Sequence, residues 1–303
     1  MKKALSLALA LILALTVAAC GNDSTQDTTS SANEGSSQAS DSSQVSTSQS
    51  ETSVSQEEST EESDLAYVKD KGTLVVGITL FDPMDYKEEG SDEWIGFDAD
   101  MAKAFAESLG VEAEFIEITW DYKVEELDSK AIDAVWNGMT LTDDVKAAMA
   151  TSNPYCTNYQ VLVYPSDKAA DYENLTTLEG LNVAVESGSA GEDAAEALNA
   201  TTVPVQSQAD ALMEVSANTS DAAVIDVLMA AAMIGEDTGY SDLTYSLNLN
   251  EAQGLESEEY GVGFRKGSDL VEAFNEFWAE KVEDGTVEEV AATYGLQDAV
   301  ILE

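Results

Sequence analysis

Nine consecutive residues near the middle of the chain, Ala134, Val135, Trp136, Asn137, Gly138, Met139, Thr140, Leu141 and Thr142, narrow the possible folds more than any other stretch. An apolar run enters a glycine and stops at two threonines, followed by the acidic pair Asp143 and Asp144. That order predicts a buried strand, a tight turn and the start of a helix. The turn gathers amide N–H groups and two hydroxyls, and its glycine lets something approach the main chain closely, which suits small anionic or polar groups. A purely structural α/β turn has the same ingredients.

The same alternation extends to both sides. A strand over residues 73–79 leads into a loop carrying Phe81, Pro83, Tyr86 and Trp94. Gly96, Phe97 and Asp98 then open a helix in which Phe97, Met101, Phe105 and Leu109 recur at helical spacing, closed by Gly110. Strands are predicted over 111–118 and 132–136, with a short helix over 121–129 between them. A β-rich run over 158–164 is expected to cross into a second lobe. There, strands over 182–186, 202–206 and 222–225 alternate with helices over 191–199 and 208–217, and a further helix begins after Asp226. The chain is expected to return near Tyr260, Gly261, Val262, Gly263, Phe264 and Arg265, after which Leu270, Phe274, Phe277 and Trp278 form the apolar stripe of a packing helix. Strand–helix alternation indicates largely parallel sheets with helices on their faces. The predicted division is 64–160 for the first lobe, 161–255 for the second and 256–303 for the return. Two such lobes leave a cleft at the carboxyl ends of strands, where open α/β sheets take ligands.

The beginning of the chain reads differently. Lys2 and Lys3 precede an apolar run that ends at Val17, Ala18, Ala19 and Cys20, a secretory signal too short for a comfortable membrane span. The small residues before Cys20 resemble a bacterial lipobox, which implies a signal peptide over 1–19 and a lipid on the Cys20 thiol; an ordinary signal peptide is the alternative. Residues 20–63 hold Ser, Thr, Gln, Asp and Glu with almost nothing apolar, the composition of a disordered tether. The reading is therefore a lipid-anchored protein on the extracytoplasmic face of the cell membrane.

The segment from Trp120 to Tyr155, with Trp120-Asp121, Ile132-Asp133-Ala134, Gly138-Met139-Thr140 and Ser152-Asn153-Pro154-Tyr155 in this order, resembles the extracellular solute-binding proteins of ABC-type amino-acid importers. The resemblance runs from about residue 72 to 295 and includes Gly96-Phe97-Asp98. It implies an α/β, two-lobed type II periplasmic binding protein fold that captures an amino acid and passes it to a membrane permease. It also implies that Phe81 and Phe97 cover the ligand, with Trp120 as a further wall. Asp226 would meet the ammonium, although an aspartate ending a strand also suits a helix cap. Gly138, Thr140, Thr142 and Ser189 would supply amide and hydroxyl donors to the carboxylate, and Asn137 is a further candidate ligand-binding residue. The family's arginine for that carboxylate is replaced by Val145, and Glu186 stands where relatives carry lysine or glutamine. Glu186 with Asp226 biases the cleft towards a cationic or polar amino acid.

Other classes fit poorly. With 59 acidic against 13 basic residues, a net charge of −46, the chain lacks the clustered Lys and Arg that bind nucleic acid. No histidine is present, which removes imidazole bases and the usual zinc ligand, so no metal or cofactor is expected. Cys156 is the only cysteine besides Cys20 and reads as a small apolar filler. A monomer is expected. Two alternatives stay open: a dehydratase-like enzyme using Glu186 or Asp226 as general acid, and a ligand sensor docking on a receptor.

Overall fold

The computed structural model of the chain describes residues 63–255 and 257–302. The expected signal peptide, Cys20 and all but the last residue of the expected tether lie outside the described residues. Strands β1 (Thr73–Ile78), β2 (Glu112–Glu117), β3 (Ala134–Val135), β4 (Ala150–Thr151), β5 (Cys156–Asn158) and β6 (Gln160–Pro165) occupy the first half. They are followed by β7 (Asn182–Glu186), β8 (Thr201–Val205), β9 (Ala222–Asp226), β10 (Leu243–Asn248), β11 (Glu258–Tyr260) and β12 (Gly263–Phe264).

Two five-stranded sheets result, in the orders β2-β1-β3-β12-β4 and β10-β6-β9-β7-β8. In each, three neighbouring strands pair in parallel and two more are added along one edge through antiparallel pairings, so that one strand of the five, β12 or β6, runs against the other four. The apolar run of β1 is buried from Leu74 to Ile78 because helices cover both faces of a parallel core. β3 is shorter than predicted, but Asp133 N and Trp136 N still donate to the carbonyls of Val75 and Gly77, so the ladder extends past its ends. The predicted run over 158–164 divides at Tyr159 into β5 and β6. β5 does not join either sheet; it pairs antiparallel with β11 in a two-stranded ribbon. β5 leads into the second sheet and β11 leads back to the first, so the ribbon consists of the two crossings side by side.

The returning chain closes the first sheet through its helix Leu270–Glu283, which buries Leu270, Phe274, Phe277 and Trp278 as its spacing predicted. Their rings meet Trp136, Phe105, Tyr155 and Phe97 at centroid separations from 4.9 to 6.2 Å, within the range for favourable aromatic pairs. Cys156 is buried beside this cluster, and burial pushes its thiol well above the ordinary range, consistent with a filler.

Arg265, just after β12, fastens the return. Its Nε donates to both carboxylate oxygens of Asp64 at 3.0 Å, its Nη1 to the carbonyls of Ile132 and Leu127, and its Nη2 to Asp133 Oδ1 at 3.3 Å. Asp133, fully buried, is also met by Val75 N at 2.8 Å and by Lys71 Nζ at 2.5 Å. Breaking a buried pair leaves charge without a partner, at a cost of about 3–5 kcal/mol. Arg265→Met is expected to lower unfolding stability by that amount, seen as a lower urea midpoint at unchanged slope; a midpoint within error of wild type would remove this network from the anchoring of the return.

Candidate functional site

A cavity of about 290 Å³ lies between the two sheets, the size suited to a small solute. One wall comes from the first sheet: Trp120 and Lys123 after β2, the turn Asn137, Gly138, Met139 and Thr140 after β3, and Val145 on the following helix. The other comes from the second: Gln160 on β6, Glu186 at the end of β7, Gly188 and Ser189 beyond it, Gln208, and Asp226 at the end of β9.

The first wall is held from behind. Gly138 adopts φ +55°, and a Cβ there would stand 2.5 Å from Phe81 Cε1 and 3.1 Å from Tyr260 Cε2, so both the conformation and the lack of space require glycine. Gly138 N donates to Asp98 Oδ2 at 2.7 Å, and the Tyr155 hydroxyl donates to the same oxygen at 2.7 Å. Asp98 is fully buried, which pushes its carboxyl up to about 7 against the pull of these donors. Thr79 N donates to Asn137 Oδ1, while Asn137 Nδ2 is buried without a hydrogen-bond partner. Thr142 caps the helix Asp143–Ala148 by accepting from Val145 N. Thr140 Oγ1 donates to Glu258 Oε2 at 3.1 Å.

The second wall centres on Asp226, 4% exposed. Its side chain does not cap the helix that follows; it accepts from Asn158 Nδ2, Gln160 Nε2 and Gln208 Nε2. Gln208 Oε1 in turn accepts from Asp226 N at 2.9 Å, which fixes both residues. Glu186 is buried with Oε1 unpartnered. Burial, opposed by neighbouring donors, drives Glu186 up to about 8 and Asp226 up to about 7. Ser189 accepts from Glu192 N and keeps its own proton for donation.

The walls touch at Gly188. Its φ is +71°, and a Cβ would lie 2.7 Å from Asp121 Oδ1 and 3.0 Å from Asp121 Cα across the cleft. Its carbonyl accepts from Lys123 Nζ at 3.0 Å.

Of the predicted residues, Trp120, Asn137, Gly138, Thr140, Glu186, Ser189 and Asp226 line the one cavity. Phe81 and Phe97 do not. Phe81 is 2% exposed, its ring edge-on to Tyr260 behind the Gly138 turn; Phe97 is fully buried between Tyr155 and Trp278. Both support the wall because the apolar core claims their rings. The Gly138 amide, predicted as a ligand donor, is committed to Asp98. Sequence reading missed Lys123, Gln160 and Gln208. Lys123 was recognisable as a lysine one helical turn after the cleft tryptophan; the two glutamines carry no local signal.

The chain matches the family model described as bacterial extracellular solute-binding proteins, family 3, over residues 74–297. It is 30% identical over 227 residues to the arginine-binding extracellular protein ArtP of Bacillus subtilis, covering 73% of this chain and 85% of that one. Among solved structures it is similar to a mutant of ArgBP from T. maritima, with TM-score 0.68 and 31% identity over 76% of this chain and 98% of the other. It is also similar to the ancestral amino acid-binding protein AncCDT-1, a precursor of cyclohexadienyl dehydratase, with TM-score 0.67 and 29% identity over 77% and 99% of the two chains. The architecture is the type II periplasmic binding protein fold. The chain belongs to the bacterial extracellular solute-binding proteins, family 3.

Proposed function

We propose that the cleft captures an amino acid with a cationic or polar side chain, the basic ones foremost, and that the loaded protein delivers it unaltered to an ABC-transporter permease. The observation that carries this reading is the buried carboxylate of Asp226, positioned by three amides and accompanied in the cavity by Glu186, whose Oε1 has no partner. A ligand ammonium supplies the charge that these acids lack, and its binding in a dry cleft strengthens the attraction. ArtP, named as an arginine-binding extracellular protein, supports the ligand class. Trp120, Asn137, Gly138, Thr140, Glu186, Ser189 and Asp226 contact the ligand, with Phe81 and Phe97 backing the site. Residues 64–160 with 256–303, and 161–255, act as two lobes that close about the β5–β11 ribbon. The protein works as a monomer outside the cytoplasm, held by a lipid on Cys20 through the tether.

A dehydratase reading has one specific support: Glu186 holds its proton near neutral pH and could act as a general acid. Turnover of a cyclic hydroxy acid by purified protein would establish it in place of transport.

A thermal-shift screen with the common amino acids tests the main reading. A ligand at a hundred times its Kd adds about 2.7 kcal/mol of stability and raises the melting temperature. Asp226→Asn should cost about 2 kcal/mol or more of binding, because the partner charge is then unmatched; an unchanged shift removes Asp226 from the site.

The pH dependence has a definite sign. Glu186 and Asp226 hold protons more tightly when folded than the roughly 4 of a free carboxyl, so between about pH 4 and 8 the folded state binds more protons and these groups lower stability as pH rises. A cationic ligand favours the ionised acids, so its affinity should increase through pH 7 to 8. Titration calorimetry across this window should show that increase, shallower in Glu186→Gln; a flat or falling affinity in the wild type contradicts the cationic assignment.

A further inference from the structure

The acids explain a ligand's cationic end and leave the other end without a counterpart. Four carboxylates line the cavity, Asp144, Glu186, Asp193 and Asp226, and Lys123 is the one cation among its lining residues. Of the donors that line the cavity, Gly138 N is committed to Asp98, Thr140 Oγ1 to Glu258, and the Gln160 and Gln208 amides to Asp226, which leaves neutral donors such as the Ser189 hydroxyl and Asn137 Nδ2. Against four acids, a few neutral donors leave a carboxylate that enters without a cation with net repulsion.

Lys123 is 8% exposed. Its Nζ donates to Trp120 O at 3.2 Å and to Gly188 O at 3.0 Å, and sits 4.9 Å from the centre of the Trp120 ring. An ammonium has three N–H donors, and two carbonyls use two of them. The third is left for a ligand. The two carbonyls come from opposite walls, so the ammonium is held at the point where the cleft shuts, with its stem fixed by the helix Lys123–Asp128. On the same side of the cleft, Asn137 Nδ2 is a buried amide donor with no protein partner.

From this arrangement we infer that Lys123, on the helix after β2, is the specificity-determining residue for the ligand's carboxylate. The inference rests on the proposed amino-acid function and refines it. The site distinguishes an amino acid from the amine that remains when its carboxylate is lost. Lys123 also joins the walls, but that role alone would make no such distinction.

The test uses paired probes that differ only in the carboxylate: L-arginine with agmatine, and L-lysine with 1,5-diaminopentane, measured by titration calorimetry on wild type, Lys123→Met and Lys123→Arg. In Lys123→Met, affinity for the amino acid of a binding pair should fall by about tenfold or more, the effect of losing one charge-assisted contact. Affinity for its amine should hold or rise, because a competing cation has left the acidic cleft. Lys123→Arg should recover part of the loss. An equal fall for both members of the pair, or no fall for either, overturns the inference and leaves the transport reading standing. If wild type binds the amines and neither amino acid, the carboxylate role is refuted and the ligand class becomes a diamine. If it binds none of the four probes, the basic amino-acid reading falls, and this inference with it.

Discussion

A buried carboxylate that keeps its place between two sheets must be met by donors, and here one set of amides meets two acids at once. Asn158 and Gln160 each donate both to Asp226 and to Glu258, Asn250 donates to the other oxygen of Glu258, and Thr140 reaches Glu258 from the opposite wall. An unmatched acid in this position would cost several kcal/mol or lose its charge. Asn158 lies on β5 and Glu258 on β11, the two crossings. The residues that allow the lobes to be joined are therefore the residues that hold the acid of the site. Under the proposed closure, movement at the ribbon would redistribute donors around Asp226, and a bound cation there would change what the ribbon must satisfy.

How much of this was legible in the chain depends on the length scale of each signal. The strand, glycine and threonine sequence around Gly138 gave its own local structure correctly, because turn conformation and capping are decided within a few residues. The apolar stripe from Leu270 to Trp278 was equally plain, since burial follows helical spacing. β10 was not foreseen. Its residues Leu243 to Asn248 include serine and asparagine, and Leu247 takes φ +57° at the irregularity opposite β6, so it has neither an apolar run nor clean alternation.

The site was legible in its acids and turn, and illegible in what they touch. Asp226 reads from the sequence as a helix cap or as a ligand carboxylate, and the hydrogen bonds remove the cap, because amides from residues 158, 160 and 208 converge on its side chain. Convergence of that kind arises from sheet order and has no trace in local spacing. Phe81 and Phe97 show the reverse: a loop position beyond a strand pointed Phe81 to the cleft, and for Phe97 the resemblance competed with core packing, yet the aromatic core of the first sheet takes both rings. Asp144 and Asp193 join Glu186 and Asp226 in the cavity lining, which makes the cleft locally acidic whatever the charge of the rest of the chain.

The contact at Gly188 has a consequence for how such a cleft can change over time. A Cβ there would meet Asp121 Oδ1 first, at 2.7 Å, and behind it Asp121 Cα at 3.0 Å, part of the facing main chain, which cannot swing aside as the side-chain oxygen can. The distance between the jaws is thus gauged by backbone against backbone. Lineages that alter the cargo are free to redecorate the chamber behind this point, residue by residue, while the gauge itself admits no graded adjustment.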